Sequence, residues 1–294
     1  MQVQRNRPWL ALLAFTAPAL LFFIIFLAIP TLGGIYYSLT DWNGLYENHN
    51  FVGLSNYVEA LTKDSRFIHS LFYTLQYVIV IVIAQNAIGI GLALLVESRM
   101  RTKFLFRTLF FMPNMISVYI TTLMWAFIFA KVLPYIADHT ILTFFNQGWI
   151  GDPKVSFFSI LIVSIWQGSG YLMVIYIAAL QGVPKDIQEA AMIDGASVLQ
   201  KFIHIVLPML MPAITICVFL TLNGSFKIFE VVYALTQGGP GYSTEVIALN
   251  IYQEGFARDM RFGFATAKAM ILLTIILVIT FIQVSIFKKK EVEA

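Results

Sequence analysis

Residues 183–208 read VPKDIQEAAMIDGASVLQKFIHIVLP and form the longest well-charged segment between two strongly apolar stretches of the C-terminal half. Pro184 suits the first turn of a helix, and the carboxylates that follow it lie where negative charge stabilises a helix N-terminus. Gly195 can adopt a positive φ, and Ser197 and Gln200 have the spacing of a capping box. The segment therefore predicts a helix, a turn and a second helix.

The first of these helices has a nearly flat face. Ile187, Ala190, Ala191 and Asp194 recur at the i, i+3, i+4 and i+7 spacing of one helical face, and the two middle positions are alanines. A flat face admits close contact with another surface, so the segment is a candidate docking element. On periodicity alone, an amphipathic interfacial helix that merely joins two spans explains it equally well.

The complete spacing of this segment resembles that of a known family. Glu189-Ala190-Ala191, then Gly195, then Ile205-Val206-Leu207-Pro208 closely resembles the EAA cytoplasmic loop of the permease subunits of ATP-binding-cassette (ABC) importers. In that family the loop docks into a groove on the ATP-binding subunit and couples its closure to the membrane. The fuller form EAAMIDGAS resembles the sugar-type permeases. The resemblance implies these coupling residues: Glu189, Ala190, Ala191, Asp194, Gly195, Ile205, Leu207 and Pro208.

Composition indicates the class of protein. The residues are 59% hydrophobic and 12% charged and the mean hydropathy is +0.79, whereas soluble domains carry about 25% charged residues. The chain is therefore expected to be an integral membrane protein. Its single cysteine, Cys217, lies in an apolar run and excludes a disulfide within the chain.

Six apolar segments are long enough to cross the hydrocarbon core of a bilayer, which takes about 20 helical residues. They predict an all-α polytopic membrane protein with six transmembrane helices, at about residues 8–40, 71–96, 108–130, 155–180, 208–226 and 262–287.

The spans suggest a division of the chain into two regions. We expect residues 1–66 to hold the first transmembrane helix and an external segment, FVGLSNYVEAL, that forms a short interfacial helix. Residues 67–294 are expected to form a permease core of five helices that contains the coupling loop 184–208. Pro113 predicts a bend in the third span, and the glycine-rich residues 235–244, LTQGGPGYST, predict a break in the helix.

Positive charge is distributed unevenly between the loops. Eleven lysines and arginines fall in the two termini, in the loop after the second span and in the coupling loop, whereas the opposite loops hold more carboxylates than cations. The positive-inside rule therefore places both termini and the coupling loop in the cytoplasm. The chain is expected to lie, multi-pass, in the cell or inner membrane of a bacterium or an archaeon.

The turn-rich segment LTQGGPGYST carries a second resemblance. It is similar to the LTxGGP segment of the larger permease of maltose-type importers. This implies a type I ABC importer permease fold, a heterodimer with a second permease, two ATP-binding subunits and an extracytoplasmic substrate-binding protein. It also implies that ATP and Mg²⁺ bind to the partner ATPase, and that this chain is not an enzyme and holds no cofactor. The sequence itself contains no GxxxxGK[ST], HExxH, GxSxG or CxxC motif.

Polar side chains inside spans are costly, so those of spans three to five predict a pathway for a polar solute. Amides and hydroxyls match the hydroxyls of a sugar, and aromatic rings pack against its C–H faces. Resemblance to the maltose-type permease implies a midmembrane sugar site in these spans and leaves the particular sugar open. Hydrogen bonding between helices is the alternative role for each residue. The predicted pathway residues are Asn114, Ser117, Trp166, Gln167, Gly168, Tyr171, Thr221, Asn223 and Ser225.

Three other classes of protein are alternatives to a sugar permease. An importer of the same architecture for a polyol or for glycerol phosphate is an alternative, although an anion pathway should show arginines within spans three to five, and the sequence has none there. An ion-coupled secondary transporter would show inverted repeats and midmembrane carboxylates. A membrane enzyme would show a nucleophile–base or metal-ligand pattern. The sequence shows neither set of features.

Three charged residues near the outer ends of spans call for separate interpretation. Lys227 and Glu230 lie one helical turn apart and are expected to form a local ion pair, with a contact in a gate as the alternative. Lys268 has no carboxylate within one turn of its helix. It is therefore expected to extend outward to the membrane surface or to face the polar pathway.

Overall fold

The computed structural model describes residues 8–46, 48–97, 102–258 and 260–289, apart from the side chains of residues 8–11 and 14. Within these ranges the chain is helical, without a β-strand. Its α-helices are α1 (Pro8–Phe23), α2 (Ile29–Ser38), α3 (Ser55–Thr62), α4 (Ser65–Glu97), α5 (Lys103–Met115), α6 (Val118–Phe127), α7 (Leu133–His139), α8 (Pro153–Gln181), α9 (Lys185–Ile193), α10 (Val198–Lys201), α11 (Leu207–Met209), α12 (Met211–Phe226), α13 (Glu230–Leu235), α14 (Ile247–Tyr252) and α15 (Phe262–Lys288).

Short π-helical turns directly continue several of these helices. They are Ile24–Ala28 between α1 and α2, Ile128–Val132 between α6 and α7, Phe202–Val206 between α10 and α11, and Gln253–Ala257 after α14. The expected all-α fold is confirmed.

The described residues form two compact units. The first comprises the described parts of Met1–Asp64 together with Ile251–Ile271, and the second those of Ser65–Asn250 together with Leu272–Ala294. The first unit therefore combines the N-terminal region expected from the sequence with a segment that precedes and begins the last helix. Each unit is described separately below.

In the second unit, α4 packs along α8, and α5 and α12 pack against this pair. The backbones of α5 and α8 come so close that a Cβ atom at Gly170 would lie 1.8 Å from the carbonyl oxygen of Phe110. Glycine is therefore required at this crossing. The buried core of the unit consists of Ala93, Val96, Leu172, Met173, Tyr176, Ile177, Ala213 and Cys217.

The described residues include five helices that are long and apolar enough to cross a membrane: Phe15–Ser38, Ser65–Glu97, Val118–His139, Pro153–Gln181 and Phe262–Lys288. A sixth span results if the pair Val198–Met209 and Met211–Phe226, bent by 71°, is counted as one crossing. The expected number of six is thus reached only with the bent pair. The bend lies next to Pro212 in the first turn of α12, where proline is tolerated because the first N–H groups of a helix have no partner within it.

The boundaries predicted for the third span were wrong. Residues 108–115 belong to a separate helix, α5, and the helix that is long and apolar enough to cross a membrane runs from Val118 to His139 rather than ending at residue 130. Ile116 and Ser117 are extended, with ψ of 143° and 133°, and separate α5 from α6. The expected bend near Pro113 is therefore a complete break three residues later. The freed carbonyl of Ile116 accepts a hydrogen bond from Gln167 of α8 at 3.2 Å.

The break predicted at residues 235–244 is confirmed. Gly238 and Gly241 have φ of 85° and 65°, values that L-residues with a side chain rarely adopt. The hydroxyl of Thr244 donates to the carbonyl oxygen of Gly239 at 2.8 Å and closes the loop. Directly after it, the fully buried Glu245 forms an ion pair with Arg66 of α4, which fixes the end of the loop to the bundle.

The first unit contains the N-terminal helices and the segment FVGLSNYVEAL, which forms the predicted short helix as α3. The corner between α2 and α3 is closed by Asn56, whose side chain donates to the carbonyl oxygens of Ser38 and Thr40 at 2.9 and 2.8 Å. Asp41 accepts hydrogen bonds from the side chain and the backbone of Asn50, and these bonds lower the pKa of the Asp41 carboxyl below its ordinary value.

A network of charged residues lies inside the first unit and corrects the expectation for Lys268. This side chain is 0% exposed, and its Nζ lies 2.7 Å from Asp64 Oδ2 and 2.9 Å from Glu254 Oε2. Arg261 pairs with Glu59 at 2.8 Å in the same unit. Lys268 therefore neither extends outward to the membrane surface nor depends on a carboxylate of its own helix, because its partners come from distant parts of the chain.

Candidate functional site

The segment 183–208 folds as predicted into a helix, a turn and a second helix. The first helix, α9, begins at Lys185, with Pro184 as its N-cap. Gly195 has φ of +82° and forms the turn. The capping box is complete: Ser197 N donates to Gln200 Oε1 at 2.9 Å, and Gln200 N donates to Ser197 Oγ at 3.3 Å. The second helix runs from α10 through a π-helical turn into α11.

This loop presents apolar side chains that the described residues of its unit leave exposed. Ile193 is 86% exposed and Val198 is 81% exposed, on either side of the glycine turn. Exposed apolar patches of this kind are typical of protein interaction surfaces. The short helices therefore have the geometry of a docking element.

The predicted coupling residues occupy two neighbouring depressions and the surface between them. Glu189 lines a groove of ≈1350 Å³ between α9 and the ends of α4 and α8, whereas Asp194, Gly195 and Ile205 line a smaller cavity of ≈370 Å³ beside the turn. Ala190 is exposed and Ala191 half-buried on α9. The other two residues are half-buried in α11: Leu207 and Pro208.

An ion pair links three helices beside the groove. Arg107 Nη2 of α5 donates to Glu97 Oε2 of α4 at 2.5 Å, and Gln181 Nε2 of α8 donates to the same oxygen at 3.4 Å. Glu97 and Gln181 both line the groove. The ends of α4, α5 and α8 are thus tied together where the loop begins.

A second cleft, of ≈590 Å³, opens in the middle of the second unit. Its walls come from α4, the extended break between α5 and α6, α8, α12 and the start of α13. This volume lies within the range of about 300–1,000 Å³ that is usual for ligand pockets. The structure brings seven of the nine predicted pathway residues to this cleft: Asn114, Ser117, Gln167, Gly168, Tyr171, Thr221 and Ser225.

The remaining two predicted pathway residues, Trp166 and Asn223, lie outside the cleft lining. The ring of Trp166 packs edge-on against Trp125, with ring centroids 5.7 Å apart. The side chain of Asn223 donates to the carbonyl oxygen of Phe219 in its own helix at 3.0 Å. Successive residues of an α-helix are rotated by about 100°, so the immediate neighbour of Gln167 and the residue midway between Thr221 and Ser225 face other directions.

The cleft also contains residues that were missed from the sequence. Tyr77 and Gln85 of α4 line it, so the second span contributes to the wall as well as spans three to five. The sequence contained a signal for this contribution, because Gln85 and Asn86 form a pair of adjacent amides in the middle of a strongly apolar span, and such residues are costly in a membrane.

Two opposite charges lie at the cleft. Lys227 and Glu230 both line it and are exposed. Within the part of the chain that the structure describes, the two side chains form no ion pair with each other, so the expected local pair was wrong. The reason is geometric: α12 ends at Phe226 and α13 starts at Glu230, so the two residues do not share one helix. Their charges face the cleft instead.

Histidine, cysteine and carboxylate side chains do not assemble into a metal centre in the described ranges. No group of three or more of these residues that could hold a metal ion is found there. His69 packs against Tyr242 and His139 stacks on Tyr135, so these imidazoles take part in ring contacts on the described surface.

Comparison with known proteins identifies the family. The model of the family described as "Binding-protein-dependent transport system inner membrane component" matches residues 85–292. The chain belongs to this family. It is therefore the membrane component, or permease, of an ABC importer, as the EAA loop predicted.

Relatives and a solved structure extend this assignment over nearly the whole chain. The chain is 42% identical over 280 residues to the probable starch degradation products transport system permease protein AmyD of Thermoanaerobacterium thermosulfurigenes, with 95% of this chain and 94% of that protein covered. It is 31% identical over 269 residues to the multiple sugar-binding transport system permease protein MsmF of Streptococcus mutans, with 92% of each covered.

The fold also matches that of a solved importer. The similarity is to a chain in the crystal structure of a bacterial ABC transporter involved in the import of the acidic polysaccharide alginate, with a TM-score of 0.82 and 23% identity. The match covers 97% of this chain and 96% of that one. The type I importer permease fold is confirmed.

Proposed function

We propose that this permease forms half of the translocation pathway of an ATP-driven importer for neutral sugars. The observation that carries this proposal is the cleft of ≈590 Å³, whose lining combines two glutamines, an asparagine and several hydroxyls with the ring of Tyr171. Amides and hydroxyls pair with sugar hydroxyls, and a ring packs against a C–H face. The names of the relatives AmyD and MsmF, which concern starch degradation products and sugars, support the same class of solute.

The charges at the cleft favour a neutral solute over glycerol phosphate. Among the described lining residues there is no arginine, and the cation Lys227 is accompanied by the carboxylate Glu230. A phosphate is usually held by several positive charges or by a cluster of N–H donors. A neutral polyol, which offers the same hydroxyl chemistry as a sugar, is the closest alternative.

The assembly that we propose contains a second permease, two ATP-binding subunits and an extracytoplasmic binding protein. The family description names a binding-protein-dependent system, and the exposed Ile193 and Val198 offer the coupling loop an apolar contact. ATP and Mg²⁺ would bind to the ATP-binding subunits, since this sequence has no phosphate loop. This chain would therefore bind and conduct the solute without catalysing a reaction.

Helix α8 offers a direct mechanical link between the loop and the cleft. Gln167 and Tyr171 line the cleft, and Gln181 lines the groove beside α9, all on one helix, Pro153–Gln181. A displacement of the coupling loop would be transmitted to α8, because only three residues separate the end of α8 from the start of α9 and a continuous helix carries a displacement along its axis. Closure of the ATPase would thereby change the width of the cleft.

The proposal is tested by reconstituting the complete importer in proteoliposomes and measuring ATP-dependent uptake of maltose and maltotriose. Gln167→Leu should reduce uptake by about five- to a hundredfold, because an unpaired sugar hydroxyl in a dry site costs about 1–3 kcal/mol. Gln147→Leu is the matched control, since Gln147 lies outside the cleft and also donates to a backbone carbonyl, that of Phe144. Lack of uptake of either sugar by the wild type, or full uptake by a Gln167→Leu, Asn114→Ala double variant, would contradict the proposal.

A further inference from the structure

Two glutamines in the wall of the cleft have their amide nitrogens bound by the protein itself. Gln85 Nε2 of α4 donates to the carbonyl oxygen of Ser164 in α8 at 2.6 Å. Gln167 Nε2 of α8 donates to the carbonyl oxygen of Ile116 at 3.2 Å, in the extended break between α5 and α6. Both glutamines therefore connect two elements of the wall through one hydrogen bond each.

These bonds fix which end of each amide is presented to the cleft. A backbone carbonyl oxygen only accepts hydrogen bonds, so the NH₂ group must face it and the oxygen must point elsewhere. Within the described residues, Oε1 of Gln85 and Oε1 of Gln167 have no donor. Both side chains line the cleft. Each glutamine thus offers an oriented hydrogen-bond acceptor to whatever occupies the cleft.

The packing around Gln85 explains the glycine next to Gln167. A Cβ atom at Gly168 would lie 2.4 Å from Gln85 Nε2 and 3.0 Å from its Cδ atom. A methyl group at this position therefore cannot coexist with the amide of Gln85 in its present place. Gly168 makes room for the side chain that faces it.

The hydroxyls of α12 have the same polarity as the glutamines. Thr221 Oγ1 donates to the carbonyl oxygen of Cys217 at 2.7 Å and accepts from Asn86 Nδ2 at 3.3 Å. Ser225 Oγ donates to the carbonyl oxygen of Leu222 at 3.0 Å. With their protons bound to the backbone, these hydroxyls present only lone pairs to the cleft. Acceptors therefore predominate on the part of the wall formed by Gln85, Gln167 and α12.

A buried hydroxyl one helical turn from Gln167 is a further polar group in the wall that is available to a solute. Ser164 lines the cleft and is buried, and its Oγ lies beside the Tyr77 side chain without a hydrogen bond of ordinary length and angle among the described residues. A buried polar atom without a partner is costly, and in native proteins it calls for a ligand or a water molecule. Ser164 lies one helical turn from Gln167 and Gly168, on the same face of α8.

We propose that Gln85 and Gln167 are a pair of oriented acceptors that receive hydrogen bonds from the hydroxyl groups of the solute. Gly168 acts as a positioning residue for Gln85. This inference rests on the proposed function of the cleft as the solute pathway and goes further, because it assigns the direction of the hydrogen bonds and adds Gln85 to the residues that determine specificity. At these two positions the cleft selects solutes that donate hydrogen bonds, and it rejects groups that can only accept them, such as methyl ethers.

The direction of the hydrogen bonds is tested with sugar analogues in the reconstituted importer. The probes are maltose and its monodeoxy and monodeoxyfluoro analogues at each hydroxyl, supplied with saturating binding protein. Fluorine keeps weak acceptor character but cannot donate, whereas hydrogen does neither. At each hydroxyl that donates to one of the glutamines, the wild type should transport the deoxy and the deoxyfluoro analogue equally slowly, about three- to tenfold more slowly than maltose. Gln85→Met should transport maltose and the analogues altered at one such hydroxyl at the same rate. Gln167→Met should do so for the analogues altered at another.

The matched control for these variants is Gln147→Met. It should leave the analogue profile unchanged, because Gln147 lies outside the cleft. Deoxyfluoro analogues that are transported clearly better than the deoxy analogues at every position would show that the wall donates, and would overturn the proposal. Failure of the wild type to transport maltose or maltotriose would instead count against the proposed function, so the two failures are distinguishable.

The role of Gly168 is tested by a double-mutant cycle that does not depend on analogues. Gly168→Ala should lower maltose uptake by about tenfold in the wild-type background, because it displaces the amide of Gln85. In the Gln85→Ala background, Gly168→Ala should lower maltose uptake by less than twofold, since the space beside residue 168 is then empty. Equal losses in both backgrounds would overturn the positioning role. Binding-protein-stimulated ATP hydrolysis, measured for each variant, establishes that the importer is assembled.

Discussion

At the scale of single residues, the buried charges of the first unit show what local sequence cannot reveal. Lys268 is enclosed with Asp64 and Glu254, and its ammonium also lies 4.4 Å from the centroid of the Phe264 ring. A search within one helical turn finds no partner for it. The carboxylates come from the connection between α3 and α4 and from the π-helical turn after α14, and only the folded chain brings them together.

Removing this cation is predicted to destabilise the protein. Lys268→Met removes the cation that pairs with both Asp64 and Glu254, and breaking a buried ion pair in this way costs about 3–5 kcal/mol. The thermal unfolding temperature of the detergent-solubilised protein should fall clearly. Lys288→Met, an exposed position of the same helix, is the control and should have little effect.

A compensated variant separates charge from packing in this network. Combining Lys268→Met with Asp64→Asn and Glu254→Gln removes the two buried negative charges together with the cation and should recover most of the lost thermal stability. An unfolding temperature of Lys268→Met equal to that of the wild type would contradict the stabilising role of the cluster.

At the scale of elements, local signals predicted the coupling loop well and the third span poorly. The proline, the glycine and the capping box of residues 184–200 act on their own neighbours in sequence, so the helix, turn and helix could be recognised. The break at Ile116 and Ser117 begins three residues after Pro113, from which only a bend was predicted. The carbonyl that the break sets free is satisfied by Gln167 of α8, a partner that is distant in sequence.

The glycine turn of the coupling loop is predicted to be needed for docking to the ATP-binding subunit. Gly195 has φ of +82°, and among the described residues other than its two chain neighbours no atom lies within 4 Å of the position of its missing Cβ. A valine there meets no steric clash within the chain, but it is strained by about 1–3 kcal/mol, which would distort the turn. If the loop couples the ATPase to the membrane, Gly195→Val should weaken docking by about ten- to a hundredfold.

The measurement for this prediction is sugar-stimulated ATP hydrolysis by the reconstituted importer, together with co-purification of the ATP-binding subunit. Both should be lost in Gly195→Val while the permease still inserts into the membrane. Gly195→Asn is the matched control, because asparagine tolerates a positive φ and should retain more activity. Normal hydrolysis and uptake by Gly195→Val would show that this loop is not the coupling element.

At the scale of the whole molecule, composition and the EAA spacing were sufficient for the fold class and the family. A membrane span can be recognised from the length of its apolar segment alone, whatever helices pack against it. The docking motif can be recognised because its residues are continuous in sequence. The composition of the cleft could be predicted only in part, because helix rotation removed Trp166 and Asn223 from it and packing added Gln85 of α4. Which side chains share a cavity is decided by contacts between distant helices.

The distribution of positive charge predicts the orientation of the chain in the membrane. Short loops rich in lysine and arginine remain in the cytoplasm, so the loop after α4 and both termini should lie there. Single cysteines are introduced into a Cys217→Ala background at Thr102, Asn48 and Ile141, all exposed in the structure. Thr102 is the N-cap of α5 but makes no capping bond with its side chain, so its replacement costs no such bond.

A membrane-impermeant maleimide applied to intact cells should label Asn48→Cys and Ile141→Cys. Thr102→Cys should be labelled only after the membrane is permeabilised, because the basic loop that contains it is held inside. The cysteine-free background is the control for non-specific labelling. Labelling of Thr102→Cys in intact cells would invert the orientation. The exposed loop of residues 184–208, which follows α8 on the same side as this basic loop in the six-span topology, would then lie outside the cell and out of reach of any cytoplasmic ATPase.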